Sequence, residues 1–70
     1  MSVPDNTPNI NPIIRYFDYG HLPAHLQEVS MPFSQLAHHI DETLANGPEK
    51  STALRKLLES KDAAVRAALD

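Results

Sequence analysis

Three of the four aromatic residues, Tyr16, Phe17 and Tyr19, fall within four positions, and His21 follows them. A flat ring beside an Arg or Lys holds a nucleobase and its phosphate together, with stacking worth roughly 1–3 kcal/mol per base. The cations for such a site lie at the other end of the chain. Lys50, Arg55, Lys56, Lys61 and Arg66 are five of the six basic residues. Residues 49–70 carry a charge of +1, these five against Glu49, Glu59, Asp62 and Asp70. Residues 1–48 carry −4, Arg15 against Asp5, Asp18, Glu28, Asp41 and Glu42.

Arg55, Glu59, Asp62 and Arg66 recur at steps of four, three and four, which places them on one helix face. They read either as a solvated ladder of ion pairs or as two Arg forks ready for phosphate or a polar base edge. Lys61 interrupts an apolar stripe between Leu57, Leu58 and Val65. It snorkels along its own methylenes, marks an interface or lines a ligand cavity. Gly47-Pro48-Glu49-Lys50-Ser51-Thr52 falls short of a phosphate-binding loop, because no glycine directly precedes the lysine and a helix leads in. A helix N-terminus with an ammonium and two hydroxyls remains, either an anion cradle or plain capping.

Other chemistry finds fewer parts. The absence of cysteine excludes disulfides, Cys-ligated zinc and a thiol nucleophile. His21 and His25 straddle Pro23, and His38 shares a helix face with Glu42; neither pair is a three-ligand metal set. No nucleophile–base order stands out, so no enzyme, metal or cofactor is expected. A net charge of −3 opposes binding to a nucleic acid polymer. No apolar run approaches the ~18 residues of a membrane span, and Met1–Pro12 is too polar for a secretory signal. A soluble intracellular protein without a membrane partner is expected.

The elements that must position these residues follow from spacing. Pro4, Pro8 and Pro12 among polar residues predict a mobile arm over 1–12, ahead of a single domain over 13–70. Ile13–Tyr19 is rich in β-branched and aromatic residues but has no partner strand, which predicts an extended strap laid over helices. Period-two geometry then sets Phe17 and Tyr19 on one side of the strap and Tyr16 on the other. Pro23 opens a short helix, Ala24–Val29, and Ser30 caps the next, with Pro32 in its first turn. Phe33, Leu36, Ala37, Ile40 and Leu44 form that helix's apolar stripe. Asn46-Gly47-Pro48 ends it, with Gly47 suited to a left-handed position. A second long helix runs from Pro48 or Ser51 to Leu69, with Leu54, Leu57, Leu58, Val65, Ala68 and Leu69 as its stripe.

The fold class expected is all-α: an antiparallel helical hairpin with an extended N-terminal strap and a short preceding helix. So few large apolar side chains, with no disulfide or structural metal, predict assembly as a homo-oligomer.

Phe17-Asp18-Tyr19-Gly20-His21, Leu36-Ala37 with Ile40, Pro48-Glu49-Lys50-Ser51 with Ala53, and Leu58-Glu59-Ser60 occur in this order. Order and spacing together resemble the phage hairpin family that counters CBASS and Thoeris immunity, over roughly Arg15 to Leu69. The resemblance implies an oligomer, hexamers included, that acts in the host bacterial cytoplasm. It implies a non-catalytic sponge for cyclic di- and trinucleotides or cyclic ADP-ribose isomers. Tyr19 is implied as the base-stacking ring, with Phe17 and His21 beside it, and Lys50, Arg55 and Arg66 as partners of phosphate or base edge. Three positions depart from the pattern. Gly20 separates Tyr19 from His21, Pro48 stands where arginine is common, and Ala63 and Val65 replace a frequent aromatic and polar residue. The rival expectation is a small oligomeric protein-interaction module with no small-molecule ligand.

Overall fold

A computed structural model describes residues 11–70. A 3-10 helix, Pro12–Phe17, leads into two long helices, α1 (Ala24–Thr43) and α2 (Pro48–Leu69). Asp41 and Leu44 at the end of α1 meet Lys50 in the first turn of α2. Leu22, just ahead of α1, shares a cleft with Val65 near the end of α2. The two helices therefore run antiparallel, and among the described residues the chain is all helix and turn. Of the arm read over 1–12, residues 1–10 lie outside the described residues. Asn11 and Pro12 belong to the folded unit, since the Asn11 N–H donates to Asp41 Oδ1 at 3.3 Å.

The strap is helical, not extended. Asn11 caps it by accepting from the Ile13 N–H at 3.1 Å, and Pro12 presets the first helical dihedral. A 3-10 helix stacks residues three apart, so Ile14 and Phe17 both turn inward and are buried. Phe17, at 0 % exposure, forms the core with Ile14, Ala37 and Leu54, and Phe33, Ile40, Leu57 and Leu58 pack around it. Strand propensity in Ile13–Tyr19 yields here to burial, which a period of three satisfies without a partner strand.

The expected break at Ser30 is also absent: α1 is continuous, with Pro32 inside it. Ser30 does not cap; it is fully buried along a line of Leu26, Ser30, Ser34 and Ala37, spaced four, four and three. Small side chains on this line allow the helix to sit close to its neighbours. Leu36 and Leu44, expected in the stripe, are exposed. Pro32 removes the N–H that would bond the Glu28 carbonyl, and Glu28 is exposed, so water can serve that oxygen. Tertiary packing of the continuous ridge outweighs the local penalty. Pro32→Ala is accordingly expected to raise stability by about 1–3 kcal/mol, read as a higher urea midpoint by circular dichroism.

Gly47 is not left-handed either. Its φ of 168° is extended backbone, and it is the N-cap of α2. The end of α1 is closed instead by Lys50, whose ammonium donates to the Asp41 carbonyl (2.8 Å) and the Leu44 carbonyl (3.0 Å). A cation at this end also meets the negative pole of the helix.

Candidate functional site

The 3-10 helix, the turn that follows it and the last third of α2 enclose a cleft of about 360 Å³, within the size range of small-molecule sites. Arg15, Tyr16 and Asp18 form one wall, and Lys61, Asp62 and Arg66 the opposite one. Each wall follows from its element. Phe17 turned into the core leaves its neighbour Tyr16 pointing outward, 53 % exposed. The turn carrying His21 and Leu22 is tied to α1 by Gln27, whose Nε2 donates to the carbonyls of Gly20 (3.4 Å) and Leu22 (2.8 Å). Lys61, Val65 and Arg66 come from successive turns of one uninterrupted helix.

Arg15 and Tyr16 are coupled. The guanidinium carbon lies 5.0 Å from the ring centroid, and Nη2 donates to the Tyr16 hydroxyl at 3.1 Å. That hydrogen bond raises the Arg15 pKa above its ordinary value. The cation stays charged and is held against the ring. Across the cleft Asp62 Oδ1 pairs with Lys61 Nζ at 3.0 Å. Three basic residues against two acidic ones leave the cleft formally net positive, in a chain whose overall charge is −3. An aromatic face with basic residues on both sides suits a planar, anionic ligand.

Of the six residues that the resemblance implies as ligand partners, His21 and Arg66 line this cleft. Phe17 does not, because the core holds it. Tyr19 is half-buried away from the cleft, its carbonyl accepting from the Leu22 N–H at 3.0 Å. Arg55 lies on the Arg66 face but eleven residues earlier, about 16 Å along the axis at 1.5 Å per residue. Lys50 is further still and points inward. It forms an ion pair with Asp41 Oδ1 at 2.9 Å and also donates to Asn46 Oδ1 at 2.9 Å. The turn before α2 is thus a structural staple, with Lys50 withdrawn from any anion outside. Thr52 likewise turns back, its Oγ1 donating to the Pro48 carbonyl at 2.9 Å.

The charged face of α2 is paired differently from the expected ladder. Glu59 meets Lys56 at 3.9 Å and Asp62 meets Lys61. Among the described residues neither Arg55 nor Arg66 has an acidic partner. No group of three His, Asp or Glu gathers among the described residues, and none of their helices is long and apolar enough to cross a membrane.

Seven cleft residues are not among the six implied from the sequence: the polar or aromatic Arg15, Tyr16, Asp18, Lys61 and Asp62, and the apolar Leu22 and Val65. Two signals pointed toward them: a ring opposite Phe17, and a lysine in the middle of an apolar stripe. The described residues form a helical hairpin with an aromatic, cationic cleft. No protein-family model matches the chain, and no curated protein or solved structure matches it either.

Proposed function

We propose that this chain is a non-catalytic sponge for cyclic nucleotide immune messengers, cyclic di- or trinucleotides or cyclic ADP-ribose isomers. In this reading it withdraws the messenger of CBASS or Thoeris defence within the host bacterial cytoplasm. The observation that carries the reading is the Tyr16 ring, held by Arg15 and facing Lys61 and Arg66 across one cleft. A base stacks on the ring while its phosphate meets the cations. Sequestration needs tight binding and slow release, and it requires no bond to be broken. The resemblance noted in the sequence supports the same ligand class.

A homo-oligomer, hexamers included, belongs to this proposal. The exposed Leu36 and Leu44 of α1 lie on a face the hairpin leaves uncovered, and a second copy that buries them would add apolar area to a very small core. The same residues favour the second reading, a protein-interaction module. A pull-down from cells separates the two readings by whether a nucleotide or a stoichiometric protein co-elutes.

Calorimetric titration of the full chain with a panel of cyclic di- and trinucleotides and cyclic ADP-ribose isomers tests the sponge directly. Saturable binding is expected for at least one. Tyr16→Ala is expected to weaken that binding by about 1–3 kcal/mol, roughly ten- to a hundredfold, with unchanged helical circular dichroism. Silence across the panel at micromolar protein would remove the reading.

A further inference from the structure

Two lysines of α2 have largely covered side chains, and they differ in what they hold. The Lys50 ammonium meets four oxygens, the Asp41 carbonyl and carboxylate, the Leu44 carbonyl and Asn46 Oδ1. An ammonium has three donors, so Lys50 is saturated. The Lys61 side chain is 13 % exposed and, among the described residues, has one partner, Asp62. Two of its donors are left for something else. Lys61 lines the cleft, where a ligand can supply acceptors for the donors that Asp62 leaves free.

The single partner is also poorly placed to be permanent. Consecutive residues of a helix do not face each other, so Lys61 and Asp62 meet only by bending sideways. Asp62 is 46 % exposed and can return to water at little cost.

We infer that Lys61 is the oxyanion anchor of the cleft and that Asp62 is its resident substitute, displaced when a phosphate-bearing ligand enters. A phosphate brings several oxygens and can engage Lys61 together with Arg66 or Arg15, which a carboxylate tethered to the next residue cannot. Asp62 thereby sets a threshold: anions that offer no more than one carboxylate do not compete with it. The inference rests on the cleft being a ligand site but not on the ligand being an immune messenger.

The full chain, Asp62→Asn and Lys61→Met are titrated with inorganic pyrophosphate by calorimetry. NMR of the lysine ε-methylenes follows the same titrations. The methionine keeps most of the apolar stem, and circular dichroism checks that each variant folds. Pyrophosphate is expected to shift the Lys61 resonance and leave that of Lys50 in place. Asp62→Asn is expected to bind it about tenfold more tightly, and Lys61→Met at least about tenfold more weakly. An unmoved Lys61 resonance, or equal affinity of Asp62→Asn and the unaltered chain, would overturn the inference.

The cyclic nucleotide panel, run on the same three proteins, keeps the two readings apart. Pyrophosphate at Lys61 with no cyclic nucleotide bound leaves the anchor standing and removes the messenger. Equal binding of a cyclic nucleotide by Lys61→Met and the unaltered chain does the reverse.

Discussion

Asp41→Ala is expected to lower the stability of the folded chain by about 3–5 kcal/mol, a large part of the ~5–15 kcal/mol available to a typical domain. The reason is the surroundings of Lys50. The side chains of Lys50 and Asp41 are 3 % and 7 % exposed and lie 2.9 Å apart. Removing the carboxylate leaves an ammonium with no counter-charge in a site from which water is excluded. The remaining carbonyl acceptors offset part of that loss, since they are dipoles at the negative end of α1. The Asn11 N–H, which donates to the same carboxylate, loses its acceptor as well. The pair therefore joins three segments: the start of the 3-10 helix, the end of α1 and the start of α2. Urea unfolding at one fixed protein concentration measures the effect, because self-association would make the midpoint concentration-dependent. The double variant Asp41→Leu with Lys50→Met is expected to recover much of the loss, since no unpaired charge remains. A single variant as stable as the unaltered chain would show that the ammonium is solvated.

Phe17→Ala is expected to cost about 3–5 kcal/mol. Phe17 is a large side chain with no exposed surface, and its removal leaves a void where the 3-10 helix meets both long helices. Tyr16→Ala, one residue earlier, is expected to change stability by less than about 0.5 kcal/mol. Its effect falls on ligand binding instead. Paired unfolding and binding curves separate the two roles. A Phe17→Ala protein that keeps its helicity and urea midpoint but loses ligand would place Phe17 at the site, and the reverse pattern for Tyr16 would place that ring in the core. The contrast matters because both residues belong to one aromatic cluster, and only the backbone period divides them.

Several features of the fold were legible in the residues themselves. The Ala-, Leu-, Lys- and Glu-rich run without Gly or Pro after Pro48 carries the whole of α2. The short Asn46-Gly47-Pro48 link implies an antiparallel partner, and the hairpin has one. A cleft lies between the aromatic segment and the basic second helix, and two of the six residues implied from the sequence, His21 and Arg66, line it. Lys61 is legible in the sequence as an exception to its apolar stripe.

Other features depend on long-range contacts. On propensity a run such as Ile13–Tyr19 leans toward extended structure. The buried face offered by Ala37 and Leu54 overrides that, because it accepts residues three apart. Ser30 and Pro32 look like a helix start, yet packing along Leu26–Ala37 carries the helix through them. Lys50 looks like an anion ligand from its neighbours in sequence. It is turned inward by an aspartate nine residues earlier that a single helix face cannot reveal.

By itself, then, the order of residues determined that the chain is helical, where its hairpin bends and which end carries the positive charge. These depend on propensity and on spacing within a turn or two. The tertiary structure alone decided which rings and cations face solvent together. That outcome depends on which side of each helix finds a partner, and a partner fifty residues away leaves no local mark.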